Sequence, residues 1–291
     1  MNIPFTKMHG LGNSYIYIDG YQVNLQEQDL PEIARQVSSV HTGIGSDGLI
    51  MVLPSEVADV RMRIFNRDGS EAMNCGNGLR CVAKFAYEYQ YVQQETFYIE
   101  AKSGVVQATV HLNDDQLVES VTVDMGEPIL ARSAIPMETE SGGLFDEVIH
   151  EQFRVDGDDF HVTAVSMGNP HAIFFQEQIE DAPLYTLGPK VTNDDRFPEG
   201  VNVEFVEVVK HDEIKFRVWE RGSGITQACG TGACAAVVAS SLNGYLEREQ
   251  EVTVHLDGGD LWITWLESGS VSMRGPAVTV AQGDLWVELD V

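Results

Sequence analysis

"NCGNGLRC" (Asn74–Cys81) and "ACGTGACA" (Ala228–Ala235) repeat one phrase: Cys, Gly, a small polar residue, Gly, then a second Cys. The two copies use all four cysteines of the 291-residue chain. Each copy opens a helical segment. After Cys75, the residues Leu79, Val82, Ala83, Ala86 and Tyr87 recur at helical spacing. After Cys229, "GTGACAAVVASSLNGY" is dense in small apolar residues, as suits a helix buried on every side.

Working outward, strand-like runs flank both copies. "YIYID", "VRMRIFN", "TFYIEA", "VVQATVHL" and "LVESVTVDM" fall in the first half. "FHVTAVSM", "HAIFF", "VNVEFVEVV", "EIKFRVWE" and a Gly-punctuated tail fall in the second. "DLPEIARQVSSV" reads as a helix with Asp29 as N-cap and Pro31 in its first turn. "APLYTLGPKV" reads as a short helix, and the acidic stretch Glu138–Asp146 as a loop near a domain boundary. The repeat is far longer than the roughly 20–50 residues of a solenoid, so it marks a duplicated domain.

The spacings C-x5-C and C-x4-C, with no histidine close by, do not suit zinc. Cys81 and Cys234, inside the helices, read as inert buried thiols. Cys75 and Cys229 differ, because each precedes a helix and is followed by Gly-x-Gly. Glycine lets a ligand approach the backbone. The free N–H groups of a helix start attract a carboxylate, and their field is expected to lower a thiol from about 8.5 toward neutrality. Two opposed thiols without a cofactor suit inversion at a carbon acid. One takes a proton from one face, the other returns one to the opposite face, and the helix starts stabilise the developing charge. A redox disulfide between them is the rival that spacing leaves open.

Further polar candidates lie near strand ends. Asn66 and Asn77 suit ammonium or carboxylate groups, and Arg221 with Glu220 suits a carboxylate and an ammonium. An isolated Glu-Arg pair is more often a surface pair. Asn169 precedes a proline at a turn, with His171 next; a lone histidine is usually structural. "GIGSDG" (Gly43–Gly48) matches a dinucleotide fingerprint, but a helix-like segment precedes it and a strand follows, the reverse of the required order.

Composition narrows the partners. With 45 acidic against 18 basic residues the formal charge is −27, which disfavours nucleic acid and anionic membranes. No stretch approaches the roughly 20 apolar residues of a membrane span, and "MNIPFTKMHG" lacks a signal-peptide pattern. The expected setting is the cytoplasm, with reduced cysteines.

Taken together, "FTKMHGLGNSY", "FNRDGSEAMNCGNGLRC", "VDMGEP", "MGNPHA", "VNVEFVE" and "WERGSGITQACGTGACA" resemble the diaminopimelate epimerase family over nearly the whole length. The resemblance implies a cofactor-independent, metal-free isomerase that interconverts LL- and meso-diaminopimelate for lysine and peptidoglycan synthesis. It implies that Cys75 and Cys229 are the acid/base thiols and that His171 and Glu220 tune them. Gly76 and Asn77, with Gly230 and Thr231, would cradle the α-carboxylate. Asn13, Asn66, Asn169, Asn202, Glu220 and Arg221 would hold the rest of the amino-acid substrate, with Arg221 on the distal carboxylate. The implied fold is α/β (α+β): two pseudo-twofold-related domains, each a curved, mostly antiparallel sheet wrapped around a central helix. The halves would be 1–130 plus 278–291, and 131–277, in a chain that forms a homodimer. Asn13-Ser14-Tyr15 departs from the family's usual Asn-Asp-Phe. The alternatives are a racemase of another amino acid, such as histidine, and a non-enzymatic thiol–disulfide or small-molecule-binding protein.

Overall fold

The computed structural model of the chain describes residues 1–72, 76–138 and 142–288. It divides into two compact units, Met1–Val123 with Arg274–Val291, and Asp124–Met273. The divisions fall at 123/124 and 273/274, where the sequence reading places them at 130/131 and 277/278. The acidic stretch Glu138–Asp146 belongs to the second unit, and its residues 139–141 lie outside those described.

The first unit runs β1 (Asn2–Gly10), β2 (Asn13–Asp19), α1 (Leu30–Ser38), β3 (Gly48–Leu53), β4 (Val60–Asn66), β5 (Glu71–Ala72), α2 (Gly76–Glu88), β6 (Thr96–Ala101), β7 (Gly104–Leu112) and β8 (Val118–Asp124). The second runs β9 (Glu151–Val155), β10 (Asp158–Ser166), β11 (Pro170–Phe175), α3 (Gly188–Thr192), β12 (Asn202–Lys210), β13 (Glu213–Glu220), β14 (Gly224–Ile225), α4 (Gly230–Leu242), β15 (Val252–Leu256), β16 (Gly259–Trp265) and β17 (Val271–Pro276). The chain ends on β18 (Val278–Trp286), which pairs with β1 in the first unit.

Strand pairing makes the repeat explicit. In the first unit β18–β1, β1–β2, β3–β4, β6–β7 and β7–β8 are antiparallel, while β2–β3 and β4–β6 are parallel. In the second, β9–β10, β10–β11, β12–β13 and β15–β16 are antiparallel, while β11–β12 and β13–β15 are parallel. A two-residue strand, β5 or β14, precedes each Cys-Gly turn. Helices α2 and α4 each span 13 residues.

Alternation along the strands sorts the layers. Ile16, Ile18, Leu49, Met51 and Phe65 face α1, whose Leu30, Ile33, Ala34 and Val37 are spaced to cover them. The opposite face receives α2, which touches β1, β3, β4 and β7. In the second unit Ala172, Phe174, Val203 and Phe205 join the outer cluster, and the other face receives α4, which touches β10, β11, β12, β13 and β16. A helix that reaches strands so far apart in one sheet requires that sheet to curl around it. The all-round burial expected of α4 is observed from Gly232 to Ser240. α2 is likewise buried from Gly76 to Ala86, with Arg80 and Lys84 among its buried residues. Lys84 is satisfied by Glu88 and the Val118 carbonyl, each at 2.7 Å.

Two local expectations are corrected. Asp29 stands at the cap of α1, but its side chain makes no capping hydrogen bond, because a 3-10 turn over Glu27–Asp29 leads into the helix. The helix expected over "APLYTLGPKV" is confined to Gly188–Thr192. Pro189 lacks an N–H and fits only the first turn, so the helix starts beside it. "GIGSDG" lies between α1 and β3, in the helix-then-strand order that disqualifies a dinucleotide loop.

Candidate active site

The α4 face of the second unit gathers the site residues through strand periodicity. β11 and β12 are parallel and pair His171 with Asn202 and Ile173 with Glu204. Ala172 and Val203 point to the outer cluster, so His171, Asn202 and Glu204 point to α4. On β13 Trp219 packs against the outer cluster, so its neighbour Glu220 faces α4 as well.

Cys229 is the N-cap of α4, in extended conformation with φ −122° and ψ 107°. Its Sγ accepts a hydrogen bond from the Gly232 N–H at 3.4 Å and lies 3.5 Å from Thr231 Oγ1. A cap residue is usually Ser, Thr, Asp or Asn; here sulfur takes that place and stands at the positive end of the helix. Cys229 is buried, as are Cys81 and Cys234. Met73, Asn74 and Cys75, the other expected thiol among them, lie outside the described residues.

The imidazole of His171 is wholly buried and held at both nitrogens. Nδ1 is 2.6 Å from Glu204 Oε1, and Nε2 is 3.0 Å from Asn169 Oδ1. Asn202 Nδ2 stands 3.5 Å from the same Nδ1, and Asn202 Oδ1 accepts the Arg221 backbone N–H at 2.8 Å. Glu204 is fully buried, and its Oε2 has no hydrogen-bond partner among the described residues. Glu220 accepts a short hydrogen bond from the Thr226 hydroxyl.

Electrostatics overturn one expectation. Burial, reinforced by the nearby Glu220 and Glu204, pushes the Cys229 thiol well above its ordinary range, against the pull of Thr231 and the Gly232 N–H. A helix start favours an anion by at most about 2 kcal/mol. Full burial of a titratable group opposes its charged form by about 4–7 kcal/mol. Burial therefore wins, and Cys229 rests as a neutral thiol instead of one drawn toward neutrality. Glu204 is also raised, by burial first, with His171 opposing.

Of the other expected residues, Asn13, Asn66, Gly76 and Asn77 occupy the equivalent edge of the first unit. Asn13 opens β2 and donates to Asp47 Oδ2 at 3.0 Å; Asn66 closes β4 and donates to Ser70 Oγ at 3.0 Å. Gly76 and Asn77 begin α2 as Gly230 and Thr231 begin α4. The Asn77 side chain accepts from Arg80 Nη2 at 2.8 Å. The exposed Arg221 guanidinium donates to the Glu199 carbonyl at 2.7 Å. Glu204, Thr226, Gly232 and Arg80 are parts of these clusters that the sequence reading did not assign.

Gly232 is tied to this geometry. A Cβ there would lie 2.8 Å from Glu204 Oε1, 3.1 Å from Phe216 Cζ and 3.2 Å from Cys229 Sγ. Alanine normally favours a helix by about 1 kcal/mol over glycine, but overpacking a buried site costs about 1–3 kcal/mol. Gly232→Ala is expected to lower both the melting temperature and any turnover; a stabilised variant with unchanged turnover would contradict this.

Among the described residues no cluster of His, Cys, Asp and Glu could hold a metal ion, and no helix is long and apolar enough to cross a membrane.

Comparison with known proteins bears on both units. The profile of the family described as diaminopimelate epimerase matches residues 5–131 and 163–280. The diaminopimelate epimerase of Geobacillus thermodenitrificans (strain NG80-2) is 63% identical over 279 residues, covering 96% of this chain and 95% of that one. That of Bacillus subtilis (strain 168) is 59% identical over 279 residues, covering 96% and 97%. Among solved structures, a PhzF-family phenazine biosynthesis protein of Bacillus anthracis superposes with a TM-score of 0.71 at 17% identity, covering 99% of this chain and 100% of that one. A probable proline racemase of Agrobacterium radiobacter K84 gives 0.69 at 15%, covering 99% and 93%. These two show the shared mixed α/β fold.

Proposed function

The chain belongs to the diaminopimelate epimerase family, and from that premise we propose that it inverts an α-carbon of diaminopimelate with two thiols and no cofactor. The observation that carries the reading is Cys229: a cysteine in place of a helix cap, under the influence of two glutamates, one of them bonded to a buried histidine. Its counterpart by repeat is Cys75, immediately before α2.

Inversion needs a base on one face of the carbon and an acid on the other. In one direction Cys75 acts as base and Cys229 as acid; in the other the roles exchange. The N–H groups at the starts of α2 and α4 receive the reacting carboxylate as charge develops on it. Glu220 and the asparagines take the ammonium and the remaining polar groups, and Arg221 the distal carboxylate. A substrate ammonium near Glu220 offsets the negative field on Cys229, which lets that thiol ionise when it must act as base. The reading also carries a cytoplasmic setting and a homodimer.

The test is incubation with LL-diaminopimelate in deuterated water, without pyridoxal phosphate. The expected product is the meso isomer carrying deuterium at the inverted carbon. Turnover of histidine or another amino acid alone would move the reading to a racemase. Binding without exchange would move it to a binding protein.

A further inference from the structure

We infer that Glu204 is a positioning residue for the second thiol: its carboxyl fixes the ring of His171 and is seated against the first turn of α4, which Cys229 caps. This rests on the epimerase reading and adds to it a residue that touches neither substrate nor reacting atoms.

The first observation is the shared seat. Glu204 Oε1 is 2.6 Å from His171 Nδ1. The same oxygen lies 2.8 Å from where a Gly232 Cβ would be, and Cys229 Sγ lies 3.2 Å from that point. One oxygen therefore orients the imidazole and sits at the helix turn that carries the sulfur. With Nδ1 committed to Glu204, the other ring nitrogen is turned to Asn169.

The second observation is the repeat. In the first unit β2 and β3 pair Tyr15 with Gly48 and Tyr17 with Ile50. In the second the corresponding pairs are His171 with Asn202 and Ile173 with Glu204. Ile50 thus stands where the second unit has Glu204, and Tyr15 where it has His171. The fold builds this layer with an apolar residue in one copy, so packing does not call for a carboxyl. Glu204 is instead fully buried, with its Oε2 unpartnered among the described residues. A buried, half-satisfied carboxyl destabilises a protein, and here it sits beside the one described thiol that caps a helix.

The groups acting on Cys229 are Glu204 from β12, Glu220 from β13, and Thr231 with the Gly232 N–H from α4 itself, and His171 from β11 is bonded to Glu204. Glu204 is the carboxyl among them that His171 holds in place.

The experiment compares wild type, Glu204→Gln and Glu204→Asp. Alkylation of Cys229 by iodoacetamide is followed by peptide mass spectrometry across pH and needs no substrate. Gln keeps the shape and cannot carry a charge, so the pH at which Cys229 becomes reactive is expected to fall by about one unit or more. The alkaline limb of kcat/KM for diaminopimelate is expected to move the same way, with kcat at pH 8 reduced about tenfold and KM nearly unchanged. Asp keeps the carboxyl but draws it back by one methylene, and is expected to fall between. Wild-type midpoints in both variants, or a rise in KM alone, would make Glu204 a packing residue and overturn the inference. If wild type does not turn over diaminopimelate, the epimerase reading fails, and the alkylation midpoints still decide the role of Glu204.

Discussion

Cys229→Ala is expected to abolish net epimerisation, lowering kcat by about 10³-fold or more, while leaving proton exchange at one stereoisomer. Without Cys229 no group reprotonates the carbon from its side. The remaining thiol can still remove the α-proton from the isomer that presents it, and return a proton to the same face. In deuterated water that isomer should therefore gain deuterium with retained configuration, and the other isomer should stay inert. A one-base enzyme would lose exchange and inversion together for both isomers. The variant should fold: its loss is a cap hydrogen bond from Gly232 and a small buried volume, worth about 1 kcal/mol for the cap. Inversion of both isomers at near wild-type rates would remove Cys229 from the chemistry and leave the two-thiol mechanism without its second member.

How far the sequence predicts this site depends on which interactions are local. The two Cys-Gly turns were legible because a helix start, its glycines and its cap lie within a few residues of one another. The repeat was legible for the same reason, and strand pairing makes it explicit. Glu204 was not. "VNVEFVE" alternates apolar and acidic residues, which a strand with one wet face would also do. Period-2 spacing from Asn202 puts Glu204 on the same face, a signal available in the sequence. What makes that face dry is α4, which arrives from residues 230–242 and covers it. The state of the Cys229 thiol was misjudged for a related reason. The helix field is local and readable, whereas burial and the two glutamates come from β12 and β13. Tertiary desolvation exceeds the local field, so the sign of the effect required the packed structure.

Arg80→Ala is expected to be the most destabilising single change in the first unit. Arg80 is wholly buried in α2. Its Nη2 donates to Asn77 Oδ1 at 2.8 Å and its Nε to the Pro276 carbonyl at 3.2 Å. A Cβ on Gly10 would lie 2.7 Å from Nη2, so β1 passes close to the guanidinium. Truncation opens a cavity and leaves Asn77 Oδ1 a buried acceptor without its donor, worth about 1–3 kcal/mol. Truncating a large buried side chain costs about 2–5 kcal/mol, which is the loss expected in urea unfolding. Lysine should recover only part of it, because an ammonium cannot reproduce the planar fork of donors. The same change frees the Asn77 side chain at the start of α2, so KM should rise even in protein that remains folded. A loss below about 1 kcal/mol with unchanged KM would mean that neither the cavity nor the orphaned acceptor carries the weight assigned to it, and that Asn77 is held by other means.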